Sequence, residues 1–339
     1  MPAVKQKIIV VVGPTASGKS DMGVSLARTF GGEIISADSR QVYRGLDIGS
    51  GKITKKEMCG VPHFCLDLAS PKKIFTAKDY ERCARSAIGN IRQKNKIPIF
   101  VGGTGLYIDV ALGRMRLADI PPNPRLRKRL AKKTAAQLFT LLKKLDPKRA
   151  RAIDAKNPVR LIRAIEIALN ERITSEPLNG FFALFGTVSE VRQRADEEQK
   201  GAKSSEPSAG WARMSEEAAL VIRSANILWI GIRRSPEELK KRMELRLVKR
   251  LPGIIREVKK LRMEGVSWKR LYDLGLEYRF VSLYLRGKLT KDAMRQQLLS
   301  AIRHYAKRQM TWFKKNKDIH WVATEQDAKK LARKFLREK

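Results

Sequence analysis

The residues Gly13 to Ser20, GPTASGKS, have the spacing G-x-x-x-x-G-K-[ST] of a phosphate-binding loop. They follow the short β-branched run Lys7 to Gly13 and precede a segment with helical apolar spacing. In such a loop, backbone N–H groups surround phosphate oxygens, and the following helix adds its positive end. Lys19 would neutralise phosphate charge, and the Ser20 hydroxyl would bind Mg²⁺. The loop therefore predicts a diphosphate site, but it does not distinguish ATP from another diphosphate.

Two further polar residues stand at the ends of predicted strands. Asp38 follows the predicted strand Glu33 to Ser36, and Thr104 lies in GGTGLY, at the end of the strand within Ile97 to Gly105. Asp38 either caps a turn or serves as a metal-site carboxylate or general base. The glycines beside Thr104 either permit a tight turn or let its hydroxyl reach the ligand crevice. An ATP-driven kinase would place an acidic residue here for Mg²⁺, and VGGTG has none.

The second half of the chain carries cations that could act on a phosphate or on RNA. Arg242 and Arg246 lie four residues apart on one helical face, which is either a binding face or an exposed basic surface. The run from Arg303 to Lys315 mixes aromatic and basic residues, a pattern typical of RNA contacts. Helical spacing equally allows three of its members to pack in the core: Tyr305, Met310 and Phe313.

The elements that must position these residues alternate as strand, helix, strand, helix, strand. This order predicts an α/β parallel sheet with helices on both faces, whose strand ends bring the polar residues to one crevice. After the proline-rich break at 121–124, the segment Arg125 to Arg163 is basic and is expected to be wholly helical. A strand at Asn226 to Ile232 then rejoins the sheet. We therefore predict a P-loop core, 1–120 with 206–339, interrupted by a helical RNA-binding insertion at 121–205 that ends in a flexible segment.

Composition indicates the class of partner. The chain has 71 Lys and Arg against 34 Asp and Glu, a net charge of +37, which favours nucleic acid over an acidic membrane or a merely solvated basic surface. The cysteines Cys59, Cys65 and Cys83 form no C-x-x-C pair and no zinc spacing, as expected in a reducing compartment. No apolar run is long enough for a membrane span, so a cytoplasmic location is expected.

Taken in order, seven motifs resemble the tRNA dimethylallyltransferase family. They are GPTASGKS, ISADSRQVYRGLDIGSGK, PHFCLDLASP, FTAKDY, PIFVGGTGLY, NPVRLIRAIEI and AKRQMTWF. The resemblance covers nearly the whole chain except about 181–225. A zinc-finger pattern like that of eukaryotic members is missing, so the chain resembles the bacterial type. One difference is Glu277 in GLEYR, where the family usually has a small residue.

The resemblance implies transfer of a dimethylallyl group from dimethylallyl diphosphate to N6 of adenosine at position 37, in the anticodon stem-loop of a tRNA. Mg²⁺ is the implied cofactor and a monomer the expected state. Asp38 would be the general base, Thr104 would contact donor and acceptor, and Arg242 or Arg246 would contact the diphosphate. The implied diphosphate-binding residues are Gly13, Pro14, Thr15, Ala16, Ser17, Gly18, Lys19 and Ser20. The implied tRNA-binding residues are Asp38, Ser39, Arg40, Gln41, Thr104, Arg127, Val159, Arg160, Leu161, Ile162, Arg163, Tyr278 and Arg279.

Overall fold

The computed structural model describes residues 6–175 and 225–338. These residues form two compact units, one made of 6–116 and 225–338 and the other of 117–175. That the chain has an RNA-binding insertion at 121–205 remains a prediction. The flexible end expected for that insertion lies outside the described residues. In the part of the chain that is described, no helix is both long and apolar enough to cross a membrane.

The first unit is built around a six-stranded parallel sheet with the strand order β3-β2-β4-β1-β5-β6. Its strands are β1 (Lys7–Val12), β2 (Gly32–Ala37), β3 (His63–Phe64), β4 (Ile97–Gly102), β5 (Asn226–Ile232) and β6 (Ile319–Val322). The expected parallel α/β sheet is confirmed. β3 and β6 were not predicted, because strands of two and four residues leave little periodic signal in a sequence.

Helices cover both faces of this sheet. They are α1 (Lys19–Phe30), α2 (Lys55–Met58), α3 (Ala77–Gln93), α4 (Gly105–Ala111), and, after the second unit, α9 (Pro236–Met263), α10 (Trp268–Leu274), α11 (Leu276–Leu285), α12 (Lys291–Phe313) and α13 (Glu325–Arg337). Alternate residues of β1 enter different cores: Ile8 and Val10 belong to one apolar cluster, Ile9 and Val11 to the other. Because both faces are buried, β1 is a continuous apolar run with no polar alternation.

The second unit is helical, with α5 (Pro124–Leu130), α6 (Ala135–Leu145), α7 (Pro147–Ala152) and α8 (Pro158–Ser175) around a core of leucines. As expected, the described part of this segment contains helices and no strand, and capping residues divide it into separate helices. Thr134 forms a capping box with Gln137 at the start of α6, and Asp146 caps α7 with Pro147 in its first position.

Two other local features bear on the chain's course. Between 267 and 285 the chain forms two helices, α10 and α11, which are separated at Gly275, whose φ of 78° favours glycine. Cys65, just after β3, and Cys83, on α3, are paired as a disulfide, whereas Cys59 is exposed and free. Their separation of 18 residues showed no recognisable spacing in the sequence.

Candidate functional site

The loop between β1 and α1 has the backbone conformation that its glycines allow. Gly13 and Gly18 have φ values of 152° and 96°. The Lys19 ammonium donates a hydrogen bond to the Pro14 carbonyl at 2.7 Å. The Ser17 hydroxyl is fully buried and has no hydrogen-bond partner among the described residues. The hydroxyl lies against Gly13 inside the loop and does not reach the loop surface.

Three arginines donate hydrogen bonds to the loop: Arg234, which follows β5, and Arg242 and Arg246 on α9. The Nε atoms of Arg234 and Arg242 donate to the carbonyls of Ser17 and Ala16, at 3.2 and 2.9 Å. Arg246 Nη2 donates instead to Thr15 Oγ1 at 3.0 Å. Arg242 also pairs with Glu238. Arg234 and Arg242 therefore hold the carbonyl side of the loop. Arg234 was not among the site residues expected from the sequence.

Lys19 has an unusual electrostatic environment. Burial of the ammonium, together with repulsion from Arg246, lowers its pKa to about 8, and the nearby Asp38 carboxylate opposes the shift. Arg246 is thus the arginine whose positive charge helps to lower the pKa of Lys19. A diphosphate bound between these two cations would relieve their repulsion, so the cations are arranged for an anion.

Asp38 follows β2 and caps the turn after it. Its Oδ1 accepts hydrogen bonds from the backbone N–H groups of Arg40 at 2.8 Å and Gln41 at 3.4 Å. Within the described residues Oδ2 accepts none. Both alternatives from the sequence are therefore compatible with the geometry, since one oxygen caps the turn and the other can accept a proton.

Thr104 joins the ends of two neighbouring strands. Its backbone N–H donates to the Ala37 carbonyl at 3.0 Å, and its Oγ1 accepts a hydrogen bond from the Ser39 N–H at 3.1 Å. The Tyr305 phenol on α12 also lies beside the Thr104 hydroxyl. Burial and the nearby Asp38 carboxylate raise the pKa of Tyr305, so this phenol stays neutral. The structure thus brings Asp38, Ser39 and Thr104 together.

Helix α12 also supplies Gln309, which the sequence analysis did not single out. Its Oε1 accepts from the Thr15 N–H and its Nε2 donates to the Gly103 carbonyl, both at 2.8 Å. One side chain therefore contacts both the phosphate loop and the turn that carries Thr104. The available signal was the helical spacing of Tyr305, Gln309 and Trp312 within HYAKRQMTW, on one face of the helix.

Tyr278, predicted to contact tRNA, is a core residue with a side chain only 1% exposed. Its hydroxyl donates to Glu257 at 2.8 Å and accepts from the Ser50 N–H at 3.1 Å. The adjacent Glu277 is buried, and burial raises its pKa against the opposing effects of Arg246 and Arg250. Arg279 is partly exposed and stacks on the Tyr272 ring at 4.5 Å. The prediction at this segment is therefore corrected to exclude the Tyr278 side chain.

The second unit holds the other predicted tRNA contacts. Val159 and Arg160 are exposed and Ile162 is partly exposed, but Leu161 lies in the core, so its side chain is corrected to a structural role. Arg127 makes a two-pronged pair with the buried Glu166, at 3.0 and 2.7 Å, and Arg163 contacts the same carboxylate.

Burial raises the pKa of Glu166, but hydrogen bonds from Arg127, from the Asn123 N–H and from Arg163 outweigh burial and leave the pKa lowered. Arg127 and Arg163 are therefore already ion-paired with Glu166 within the second unit. Their contact with tRNA remains a prediction.

A phosphate loop after a central parallel strand, beside a carboxylate and a threonine at the neighbouring strand ends, defines a P-loop α/β protein. The family model for IPP transferase matches residues 41–316. A tRNA dimethylallyltransferase 1 of Geotalea uraniireducens is 36% identical over 335 residues, covering 97% of each chain. A tRNA dimethylallyltransferase 2 of Syntrophotalea carbinolica is 37% identical and covers 93% of each.

Solved structures agree with this. The full-length tRNA isopentenylpyrophosphate transferase of Bacillus halodurans has a TM-score of 0.63 and 31% identity, with 98% of this chain and 95% of that chain covered. A eukaryotic dimethylallyltransferase acting on tRNA shares the fold, with a TM-score of 0.72 at 21% identity, and the match covers 98% and 80% of the two chains. The chain belongs to the IPP transferase family.

Proposed function

We propose that this protein transfers a dimethylallyl group from dimethylallyl diphosphate to N6 of the adenosine at position 37 of tRNA and releases diphosphate. The observation that carries the proposal is the position of Asp38. Its carboxylate is close enough to Lys19 of the phosphate loop to raise the pKa of that lysine, and the next residue, Ser39, donates a hydrogen bond to Thr104. A proton acceptor thus stands beside an anion site. The family relatives favour this reaction over phosphoryl transfer by a metabolite kinase.

In this proposal the phosphate loop holds the leaving group. As the bond between the allylic carbon and the diphosphate oxygen breaks, negative charge develops on the diphosphate. Lys19, Arg246 and the loop N–H groups stabilise that charge where it forms. Arg246 is the choice over Arg242, because its charge reaches Lys19 while Arg242 donates to a loop carbonyl and pairs with Glu238.

The acceptor lies on the Asp38 side. An exocyclic adenine amine is weakly nucleophilic, and it must lose a proton as the new C–N bond forms. The Oδ2 atom of Asp38 takes that proton, while Oδ1 remains bound to the turn and holds the carboxylate in place. The Thr104 hydroxyl, fixed by the Ser39 N–H, contacts donor and acceptor. The adenine must leave the base stack of the anticodon loop to reach these groups.

The residues of the loop fit a magnesium ion. Ser20 is partly buried in the first turn of α1 and makes no side-chain hydrogen bond to another described residue. No group of three or more His, Cys, Asp or Glu side chains in the described ranges could hold a metal. Mg²⁺ keeps several waters and binds few protein groups together with substrate phosphates, and the Ser20 hydroxyl would supply one ligand. The ion would neutralise diphosphate charge.

The tRNA partner is supported by the net charge of +37 and by the exposed basic residues of the second unit. Ser39, Arg40 and Gln41 follow Asp38 directly, so an adenosine placed at Asp38 would lie against them. Among the other predicted contacts, Arg160 is exposed and Arg279 is partly exposed; Arg127 and Arg163 are also partly exposed but paired with Glu166. The monomeric state and the cytoplasmic location stay predictions.

The experiment is a single-turnover reaction with purified protein, Mg²⁺, labelled dimethylallyl diphosphate and an anticodon stem-loop RNA. We expect label in RNA that carries adenosine at position 37 and none in a matched RNA with guanosine there. ATP should neither be required nor consumed. Equal labelling of both RNAs, or strict dependence on ATP, would contradict the proposed function.

A further inference from the structure

Three side chains on one face of α12 lie against the phosphate loop, the turn after β4 and the helix α4 that follows this turn. Tyr305, Gln309 and Trp312 are spaced by four and three residues, so they share one face of the helix. Tyr305 lies beside the Thr104 hydroxyl, and Trp312 Nε1 donates to Asp109 Oδ2 on α4 at 2.8 Å. Gln309 lies between them. This face therefore runs along the turn between β4 and α4.

Gln309 is the member that reaches both halves of the site. It is 6% exposed, and its amide uses both ends: Oε1 accepts from Thr15 in the phosphate loop, and Nε2 donates to Gly103, next to Thr104. Glutamine can donate and accept at once, whereas an ionised glutamate only accepts. The bridge between loop and turn therefore depends on the amide group.

The fit around this bridge is close. A Cβ at Gly103 would overlap the Gln309 amide nitrogen, and a Cβ at Gly105 would overlap the Trp312 ring. Neither glycine has a positive φ, so conformational freedom does not explain them. They make room for side chains of α12. The Gly103–Gly105 turn and the helix consequently constrain each other.

We propose that Gln309 is a positioning residue that holds the diphosphate loop at a fixed distance from the Thr104 turn, and so aligns the allylic carbon with the adenine amine. The proposal rests on the proposed function. The Thr15 N–H is occupied by Gln309, so the residue acts on the position of the loop more than on its affinity for diphosphate. A misplacement of about 1 Å between reacting groups can cost about 100-fold in rate.

The test compares Gln309→Leu and Gln309→Glu with wild type, and uses Gln297→Glu, an exposed position on the same helix, as the matched control. For Gln309→Leu we expect the single-turnover rate at saturating substrates to fall about 30- to 100-fold, while the affinity for dimethylallyl diphosphate changes less than about threefold. A rate within about threefold of wild type in the folded variant would overturn the proposal.

Gln309→Glu adds a readout that a merely structural role would not move. At position 309, burial raises the pKa of a glutamic acid and the cations Lys19 and Arg246 oppose that rise; only the protonated form can donate to Gly103 while accepting from Thr15. Its rate relative to wild type should therefore rise at least about tenfold from pH 8 to pH 6. The ratio for Gln297→Glu should be constant. A ratio for Gln309→Glu that is independent of pH would refute the proposal, and this variant keeps the side-chain shape if the leucine variant does not fold.

Amide hydrogen exchange separates this proposal from the function on which it rests. In Gln309→Leu, which cannot accept from the Thr15 N–H, the Thr15 amide should exchange faster, with Val10 and Val11 in β1 unchanged. If wild-type protein transfers no dimethylallyl group but Thr15 exchange responds to the variant, the function fails and the coupling stands. If Thr15 exchange is unchanged, the coupling itself is wrong.

Discussion

Lys19 should make diphosphate binding depend on pH in a range where ordinary lysines do not titrate. Burial and Arg246 lower its pKa to about 8, partly opposed by Asp38. The ammonium is therefore charged below about pH 8 and neutral above it. With that pKa, the charged fraction is about nine-tenths at pH 7 and about 3% at pH 9.5. We predict that affinity for dimethylallyl diphosphate falls about thirtyfold over this interval, equivalent to about 2 kcal/mol.

The assay is calorimetric binding of dimethylallyl diphosphate to the protein without tRNA or added divalent metal. The ligand's own charge is nearly constant over this range, because a terminal phosphate has its second pKa near about 6. Burial raises the pKa values of the nearby tyrosines Tyr80, Tyr107 and Tyr305, so they stay neutral. At pH 9, binding should take up about one proton, measurable in buffers of different ionisation enthalpy.

The matched variant is Lys19→Arg, which keeps its charge throughout and should bind with no such pH dependence. Two results would refute the reasoning. One is wild-type affinity that is constant within about twofold from pH 7 to 9.5, against the roughly thirtyfold change expected. The other is an equal loss in Lys19→Arg, which would assign the titration to a different group.

Three further predictions address the other parts of the account. Asp38→Asn keeps the turn cap but not the base, so single-turnover transfer should fall about 100- to 10,000-fold with an unchanged melting temperature, whereas Asp38→Ala should also lose about 1 kcal/mol of stability; a normal rate in the asparagine variant would leave Asp38 only its capping role. Arg246→Ala should weaken dimethylallyl diphosphate binding about 10- to 100-fold, as expected for a charged hydrogen bond, and Arg242→Ala should weaken it less; the reverse order in calorimetry would exchange their roles. Because the folded-state pKa of Glu166 is lowered, its stabilising effect should be present above the unfolded value of 4.5 and lost as the pH falls through the folded-state pKa, so Glu166→Gln should lower the melting temperature more at pH 7 than in acid; equal melting curves at pH 7 would exclude this role.

What could be predicted from the sequence was local. The phosphate loop, Asp38 and Thr104 lie directly beside strands with strong apolar runs, and parallel strands bring such ends to one edge. The bridge by Gln309 could not be predicted this way, because it joins residues 294 positions apart and depends on how α12 packs. The same applies to Arg234 and to the burial of Tyr278, whose neighbours come from distant segments. Periodicity gives the face of a helix, but not the partner of that face.

The central claim is that the phosphate loop holds the leaving diphosphate while Asp38 takes the proton from the adenine amine. Its most direct test measures both products of one reaction, with labelled dimethylallyl diphosphate, tRNA and Mg²⁺, and with ATP omitted. The account predicts one diphosphate released for each dimethylallyl group found on N6 of the adenosine at position 37. Diphosphate release without modified adenosine, modification at another atom or position, or no reaction until ATP is added would contradict it.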